Sequence, residues 1–312
     1  MKTVFGLSRP SCVIPGSIAT LGMFDGVHRG HQAVLDRVLA RARASGLPGA
    51  AVTFENHPDA AFSGQRTPLL TSTRYRLILL ERQGLDFCLV LDFTRELASM
   101  SAEDFVRRVF VEVLNARAVV VGYDCRFGRD RLGDVGLLER EGARLGFEVE
   151  AVGPVEAAGE PISSTSIRRL VTSGDFEGAR EMLGRPYSLM GTVVGGAHRG
   201  KGLGFPTANL DLQGVILPRD GVYVANVLLG TKEYQALVSI GDRPTFSQGR
   251  DRVVVEVYVM DFRGKLYGRE LEVQLLRLIR PQRKYASADE LSVRMHEDLE
   301  YARRYFDGDV EG

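Results

Sequence analysis

The stretch SIATLGMFDGVHRGHQAVLDRVLARARASG, residues 17–46, runs from a short apolar segment into a helical pattern. Val34, Leu35, Val38 and Leu39 are spaced to line one face of a helix, with arginines on the other. Between the two lies GMFDGVHRGH, in which Gly22, Gly26 and Gly30 alternate with Phe24, Asp25, His28 and His31. A strand turning into a helix puts this segment at the carboxyl edge of a sheet, beside a helix N-terminus, where open α/β sheets take ligands. Free N–H groups and the helix dipole favour an anion there. The glycines let the backbone approach it, and His28 and His31 add donors. A structural turn with two surface histidines is the alternative.

Outward from this segment the same alternation continues to about residue 184. AAVTFE, DFCLVLDF, AVVVGYD and FEVEAVGPV read as strands, separated by the helical patterns STRYRLILLERQG, SAEDFVRRVFVEVLNA and GLLEREGARLG. Strand–helix alternation predicts an α/β domain with a doubly wound, Rossmann-like parallel sheet over residues 1–184. SGDFEGAREMLGRPYSL is expected to cap a short helix at Asp175 and stop it at Gly184, with Pro186 barring continuation. After that the texture changes to short β-rich runs, among them GVYVANVLLG, EYQALVSIG and RVVVEVYVMDF, which suggest a small antiparallel barrel or sandwich. SADELSVRMHEDLEYARRYF closes the chain as a polar helix starting from Ser287 with Glu290 in a capping box.

Composition narrows the function classes. A chain of 312 residues with 44% hydrophobic content supports two cored domains. Forty basic residues balance forty acidic ones, so no overall field draws nucleic acid or an anionic membrane. Cys12, Cys88 and Cys125 are scattered, which argues against a disulfide framework or zinc site and for a reducing cytoplasm. MKTVFGLSRP lacks a signal-peptide pattern, and no apolar run approaches the ~18 residues of a membrane span. Neither export nor insertion is expected.

Two further stretches carry chemistry. ISSTSIRRL, residues 162–170, places Ser163, Ser164 and Thr165 at a helix start with Arg168 one turn in, either a capping cluster or a second anion site. GKGLGFPTANL, residues 200–210, feeds a strand on which Thr207 and Asn209 share a face. Their oxygens are hard ligands suited to Mg²⁺, which leaves room for phosphates and water. The run from Gly195 to Lys201 is nearly a phosphate-binding Walker A loop, but Gly202 stands where Ser or Thr is required and no helix follows. Glu256, an acid inside the β-branched run VVVEVYV, is either a solvent-facing strand residue or a positioned base. Arg280 in LIRPQRKY is open to a ligand or a surface role.

These motifs carry a resemblance. The HxGH of FDGVHRGH, the ISSTxxR of ISSTSIRRL and the segment VGYDCRFGRDRLGD resemble the nucleotidyltransferase superfamily. GFPTANL, LPRDGVYVA, SIGDRPTF, VEVYVMDF and LYGRELEV resemble riboflavin kinase over residues 187–306. In this order they resemble the prokaryotic bifunctional riboflavin kinase/FMN adenylyltransferases, or FAD synthetases. The resemblance implies a nucleotidyltransferase domain over 1–184, then a small antiparallel β-barrel with a terminal helix. It implies His28, His31 and Arg168 as catalytic groups of adenylyl transfer and Glu256 as general base of the kinase. ATP and phosphate contacts are implied at Gly22, Phe24, Asp25, Gly26, Gly30, Asp124, Ser164 and Thr165, and again at Gly195, Gly200, Lys201, Gly204 and Pro206. Thr207 and Asn209 are implied as Mg²⁺ ligands. The implied partners are riboflavin, FMN, FAD and ATP, with no nucleic acid and no membrane, for a cytoplasmic monomer or weakly self-associating chain. The sequence departs from the pattern at Asn56 before His57, at Cys125 in place of Phe, and at Lys201 in place of Arg. The competing readings are a kinase without adenylyltransferase activity and a non-catalytic flavin-binding protein.

Overall fold

The computed structural model describes residues 1–7, 16–55, 68–157, 159–195, 205–212, 214–242, 253–283 and 285–309. The chain divides into two compact units, Met1–Ser164 and Thr165–Gly312.

The first unit is built on a six-stranded sheet of order β1-β4-β3-β2-β5-β6, every neighbouring pair parallel. The strands are β1 (Lys2–Phe5), β2 (Ser17–Leu21), β3 (Gly49–Phe54), β4 (Phe87–Leu91), β5 (Ala116–Gly122) and β6 (Glu148–Val152). Strands β2 and β4 are buried along their whole length, as expected of a sheet covered on both faces. Helices α1 (Arg29–Ser45) and α2 (Thr73–Gln83) follow β2 and β3. Each ends at a glycine in the left-handed region, Gly46 (φ 66°) and Gly84 (φ 99°). Short α3 (Arg95–Ser99) and α4 (Ala102–Phe105) follow β4, and α5 (Val135–Leu145) follows β5.

Two features depart from the expected pattern. The helix expected over SAEDFVRRVFVEVLNA begins as α4 but widens into a π-helix over Val106–Val113, which buries Val106, Val109, Phe110 and Val113. The segment at β1 carries too few residues to show a period, and becomes a strand only because β4 offers it an edge.

In the second unit, α6 (Ser164–Ser173) and α7 (Phe176–Leu183) precede a closed barrel of order β10-β13-β12-β11-β14-β9. Its strands are β9 (Ser188–Val194), β10 (Ala208–Asp211), β11 (Gly221–Leu229), β12 (Lys232–Asp242), β13 (Val253–Val259) and β14 (Glu270–Pro281); β7 (Glu156–Ala157) and β8 (Glu160–Pro161) form a small hairpin in the first unit. Between barrel and sandwich, closure decides for the barrel: β9 pairs both β10 and β14, which leaves no free edge. Asp175 and Gly184 cap α7 as expected. Residues 165–184, however, cluster with the barrel, where Phe176 meets Tyr223 edge-on at 5.7 Å. Val255, Val257 and Val259 point inward, while Leu237 and Tyr258 on the outer face pack with Leu299, Tyr305 and other residues of the final helix α8 (Ala288–Asp307). Ser287 caps α8 by accepting the Glu290 N–H at 3.1 Å, and Glu290 reaches back to the Ala286 N–H at 3.1 Å.

Candidate active sites

Strand order reverses at β2: β3 and β4 extend the sheet to one side of it, β5 and β6 to the other. The crevice at the carboxyl ends of β2 and β5 is therefore the topological switch point, and GMFDGVHRGH occupies it. The chain leaves β2 through left-handed backbone at Phe24 (φ 50°), Gly26 (φ 83°) and Val27 (φ 40°). For a β-branched residue this conformation costs on the order of 1–3 kcal/mol and survives where surrounding bonds over-determine it. Asp25 supplies those bonds. Its buried carboxylate accepts the Leu70 and Thr71 N–H groups at 3.0 Å each and the Thr71 hydroxyl at 3.2 Å. Thr71 in turn accepts the Gly26 N–H at 3.1 Å, and the Ser164 hydroxyl donates to the Asp25 carbonyl at 2.9 Å. The start of ISSTSIRRL is thus tied to the HxGH loop.

His28 is the N-cap of α1, and its Nδ1 accepts the His31 N–H at 3.3 Å. A neutral imidazole that accepts at Nδ1 carries its proton on Nε2, so the ring presents an N–H donor. The two imidazoles stack at 3.6 Å between centroids and 19° between planes, and Phe24 meets His31 edge-on at 5.3 Å. Gly30 makes room for this: a Cβ there would stand 3.2 Å from the His28 ring. Burial first, then electrostatic coupling to His28 and the positive field of Arg76, hold the His31 pKa well below the usual imidazole value. His31 is accordingly neutral, and its buried Nδ1 has no hydrogen-bond partner. With no acidic residue in its first turn, α1 opens onto a site built for an anion.

The sequence reading passes over Arg76, one arginine among several in TRYRLILLERQ. Its side chain is fully buried. Nη2 donates to the Phe54 carbonyl at the end of β3 and to Thr73 Oγ1, while Nε and Nη1 find no acceptor. Burial lowers its pKa, an effect that the Asp25 carboxylate opposes. The helical period would have placed it: from the Ser72 cap, Arg76 falls in line with buried Tyr75, Leu79 and Leu80.

In the barrel, β10 and β13 are registered so that Asn209 lies directly across from Glu256, and β12 places Ser239 across from Glu256 on its other side. Cross-strand partners share a face with Cβ atoms about 4.5–5.5 Å apart. Thr207, two residues before Asn209, is half-buried, Asn209 is buried, and Glu256 is half-buried. Phe205 packs edge-on against Tyr258 at 5.1 Å and His296 at 5.0 Å, fixing the approach to β10. A carboxamide and a carboxylate therefore share the outer barrel face, with Thr207 immediately before the start of β10.

Two family models match in the same order as these sites, FAD synthetase over residues 13–166 and riboflavin kinase over residues 183–306. The bifunctional riboflavin kinase/FMN adenylyltransferase of Pseudomonas fluorescens is 37% identical over 97% of each chain. The chain belongs to the bifunctional riboflavin kinase/FMN adenylyltransferase family. The enzyme of that name from Escherichia coli K12 is 36% identical over 93% of each chain. A crystal structure described as a macrolide-efflux protein from Streptococcus pneumoniae superposes with TM-score 0.83 at 32% identity, covering 97% of this chain and 99% of that one. Among the described residues no helix is long and apolar enough to cross a membrane.

As a member of this family the chain is a bifunctional transferase that uses ATP, phosphorylating riboflavin to FMN and adenylylating FMN to FAD. The residues expected to serve these reactions fall as follows. Gly22, Phe24, Asp25, Gly26, His28, Gly30, His31 and Ser164 gather at the switch point. Asp124 is exposed on the turn after β5, with Oδ1 3.2 Å from where a Gly122 Cβ would stand. Thr165, exposed, and Arg168, half-buried, continue α6 in the second unit. Gly195 follows β9, with open space where a Cβ would stand, and Pro206 is exposed. Gly200, Lys201 and Gly204 lie outside the described residues, as do Cys12, Asn56 and His57. Arg280 makes a two-pronged ion pair with Asp298 of α8 at 2.8 and 2.7 Å, so its guanidinium holds the terminal helix.

Proposed function

We propose that adenylyl transfer runs at the HxGH loop of a domain comprising residues 1–184, and phosphorylation at the Asn209–Glu256 face of a domain comprising residues 187–306. The β10–β13 register carries the second assignment, because it sets a candidate metal ligand beside a candidate base. The 5′-hydroxyl of riboflavin must lose a proton as it attacks the γ-phosphorus of ATP, and Glu256 is the group to accept it.

Thr207 and Asn209 fit Mg²⁺: both offer neutral hard oxygens, and no cluster of His, Cys, Asp or Glu competes among the described residues. When bound, the ion screens the phosphates and draws charge from the transferring group. Gly195, Gly200, Lys201, Gly204 and Pro206 carry the remaining phosphate contacts.

Adenylyl transfer needs no base, since the FMN phosphate is largely ionised at neutral pH. The work is alignment of two anions and stabilisation of departing pyrophosphate. His28 does this with its Nε2 proton and neutral His31 with its ring donor, beside the α1 N-terminus; Thr165 and Arg168 extend the triphosphate contact, and Asp124 faces the adenosine. The enzyme works on small molecules in the cytoplasm as a monomer or weakly associating chain, a reading supported by its zero net charge and, among the described residues, the free thiols of Cys88 and Cys125.

Chromatography of flavin products, after incubation with ATP, Mg²⁺ and either riboflavin or FMN, tests the assignment. Glu256→Gln should abolish FMN formation while FAD still forms from FMN; His28→Ala should do the reverse. Loss of both activities in either variant would contradict two separate sites.

A further inference from the structure

Arg76 is a fully buried cation whose bonding is incomplete. Thr20 of β2, Ala51 of β3 and Cys88 of β4 form one row across three strands. Side chains alternate along a strand, so this row lies on the sheet face opposite the apolar cluster that holds Ala19, Leu21, Ala50, Val52 and Leu89. Helices α1 and α2 pack against each other. From α2, Arg76 reaches the Phe54 carbonyl at the end of β3, and its charge is felt at the Cys88 thiol, the Asp25 carboxylate and the His31 imidazole. The guanidinium therefore stands inside the fold, next to the HxGH loop.

A guanidinium has donors only and keeps its charge. Nη2 donates to the Phe54 carbonyl and, at 3.3 Å, to Thr73 Oγ1, while Nε and Nη1 meet no acceptor among the described residues. Buried donors are nearly always paired, so an exception calls for a cause beyond packing. His31 carries the complementary orphan. The residue is only half-buried, yet its Nδ1 is enclosed and has no hydrogen-bond partner among the described residues. That leaves Nε2 as the nitrogen able to meet a ligand. In a neutral imidazole one nitrogen holds the proton and the other accepts, and the surroundings choose which. A proton on Nδ1 would turn a positive N–H into the interior that already holds the Arg76 charge, whereas a bare Nδ1 turns a lone pair there. The cation favours the second form.

We propose that Arg76 is a positioning residue for adenylyl transfer: its buried charge holds His31 in the tautomer protonated at Nε2, so that the stacked imidazoles offer the triphosphate two N–H donors. His28 reaches the same tautomer by another route, accepting the His31 backbone N–H at Nδ1. Arg76 itself is enclosed and acts only through the ring it polarises. The inference rests on the reading of the HxGH loop as the adenylyl-transfer site.

NMR of the full-length enzyme with isotopically labelled histidine, at a pH above the ordinary imidazole value, reads the tautomer from the ring nitrogen shifts without any substrate. Wild type should show His31 protonated at Nε2. Arg76→Met should move much of the His31 population to the Nδ1–H form and lower kcat for FAD formation from FMN about tenfold. Arg76→Lys, which keeps the charge, should restore both. A brace that only held α2 to β3 would lose activity with the tautomer unchanged, and that result would overturn the proposal. FMN formation from riboflavin reports folding; if Arg76→Met does not fold, Arg76→Gln removes the charge while keeping an N–H donor and carries the same expectations. A second comparison uses side-chain shape: the Gln amide nitrogen falls near Nε2 of the imidazole it replaces, the Asn nitrogen near Nδ1. His31→Gln should therefore retain more FAD synthesis than His31→Asn, and the reverse order would also overturn the proposal. Full FAD synthesis in His31→Ala would remove the HxGH loop from the reaction altogether, whereas an inactive His31→Ala with no tautomer change in Arg76→Met would remove only the role of Arg76.

Discussion

Asn209 of β10 and Glu256 of β13 are direct cross-strand partners on the outer face of the barrel, although 47 positions separate them in the chain. The proposed metal ligand and the proposed base, in this relation, can act on one ATP–alcohol pair. Replacing Glu256 by Gln keeps the shape and removes the proton acceptor, and should cost riboflavin phosphorylation about 10²–10⁴-fold in kcat. Asn209→Leu should instead raise the Mg²⁺ concentration needed for half-maximal rate, read from a Mg²⁺ titration of FMN formation.

His28 and His31 are a stacked pair, with the His31 N–H donating to His28 Nδ1. His28→Ala removes the N-cap of α1 and, with it, the proposed donor to pyrophosphate. FAD formation from FMN should fall about 10²–10³-fold, with FMN formation from riboflavin retained.

His31 also links stability to pH. Its folded-state pKa is lowered, so on acidification the unfolded chain takes up the proton first. The stability it contributes is complete above the unfolded value of about 6.5 and drains away as the pH falls below that value, by up to about 1.4 kcal/mol per pH unit. The melting temperature should therefore drop between neutral and mildly acid pH, and His31→Gln should flatten that drop relative to wild type.

Arg76 is one cause of the depressed His31 pKa. Arg76→Met should move the His31 titration upward, seen by NMR of the imidazole, and weaken FAD synthesis. Arg76→Lys, which keeps the charge, should restore most of both. An unchanged His31 titration in Arg76→Met would remove the electrostatic link.

The Arg280–Asp298 pair anchors α8 with Asp298 only 5% exposed. Asp298→Ala leaves the cation without its two charge-assisted bonds and should cost roughly 1.5–3 kcal/mol, measured as a lower melting temperature and faster proteolysis within α8. Arg280→Lys, unable to make the fork, should recover only part of it.

Local pattern determined much of this protein. Apolar runs alternating with helical periods are enough to specify a parallel sheet, and the caps at Asp175, Gly184 and Ser287 are written in single residues because capping is local chemistry. HxGH was equally legible: its glycines and histidines lie within one turn of chain, so their spacing is their geometry. Tertiary structure decided what depends on distant partners. Closure of the barrel, the Asn209–Glu256–Ser239 row and the Arg280–Asp298 clamp arise from strand register and helix docking, which no window of sequence contains. The carboxylate of Asp25 has its partners 45 and 46 residues away, and the helical period puts Arg76 on the buried face of α2 without showing what its guanidinium meets there. Side-chain type records what a residue can do; only packing selects the neighbours on which it does it.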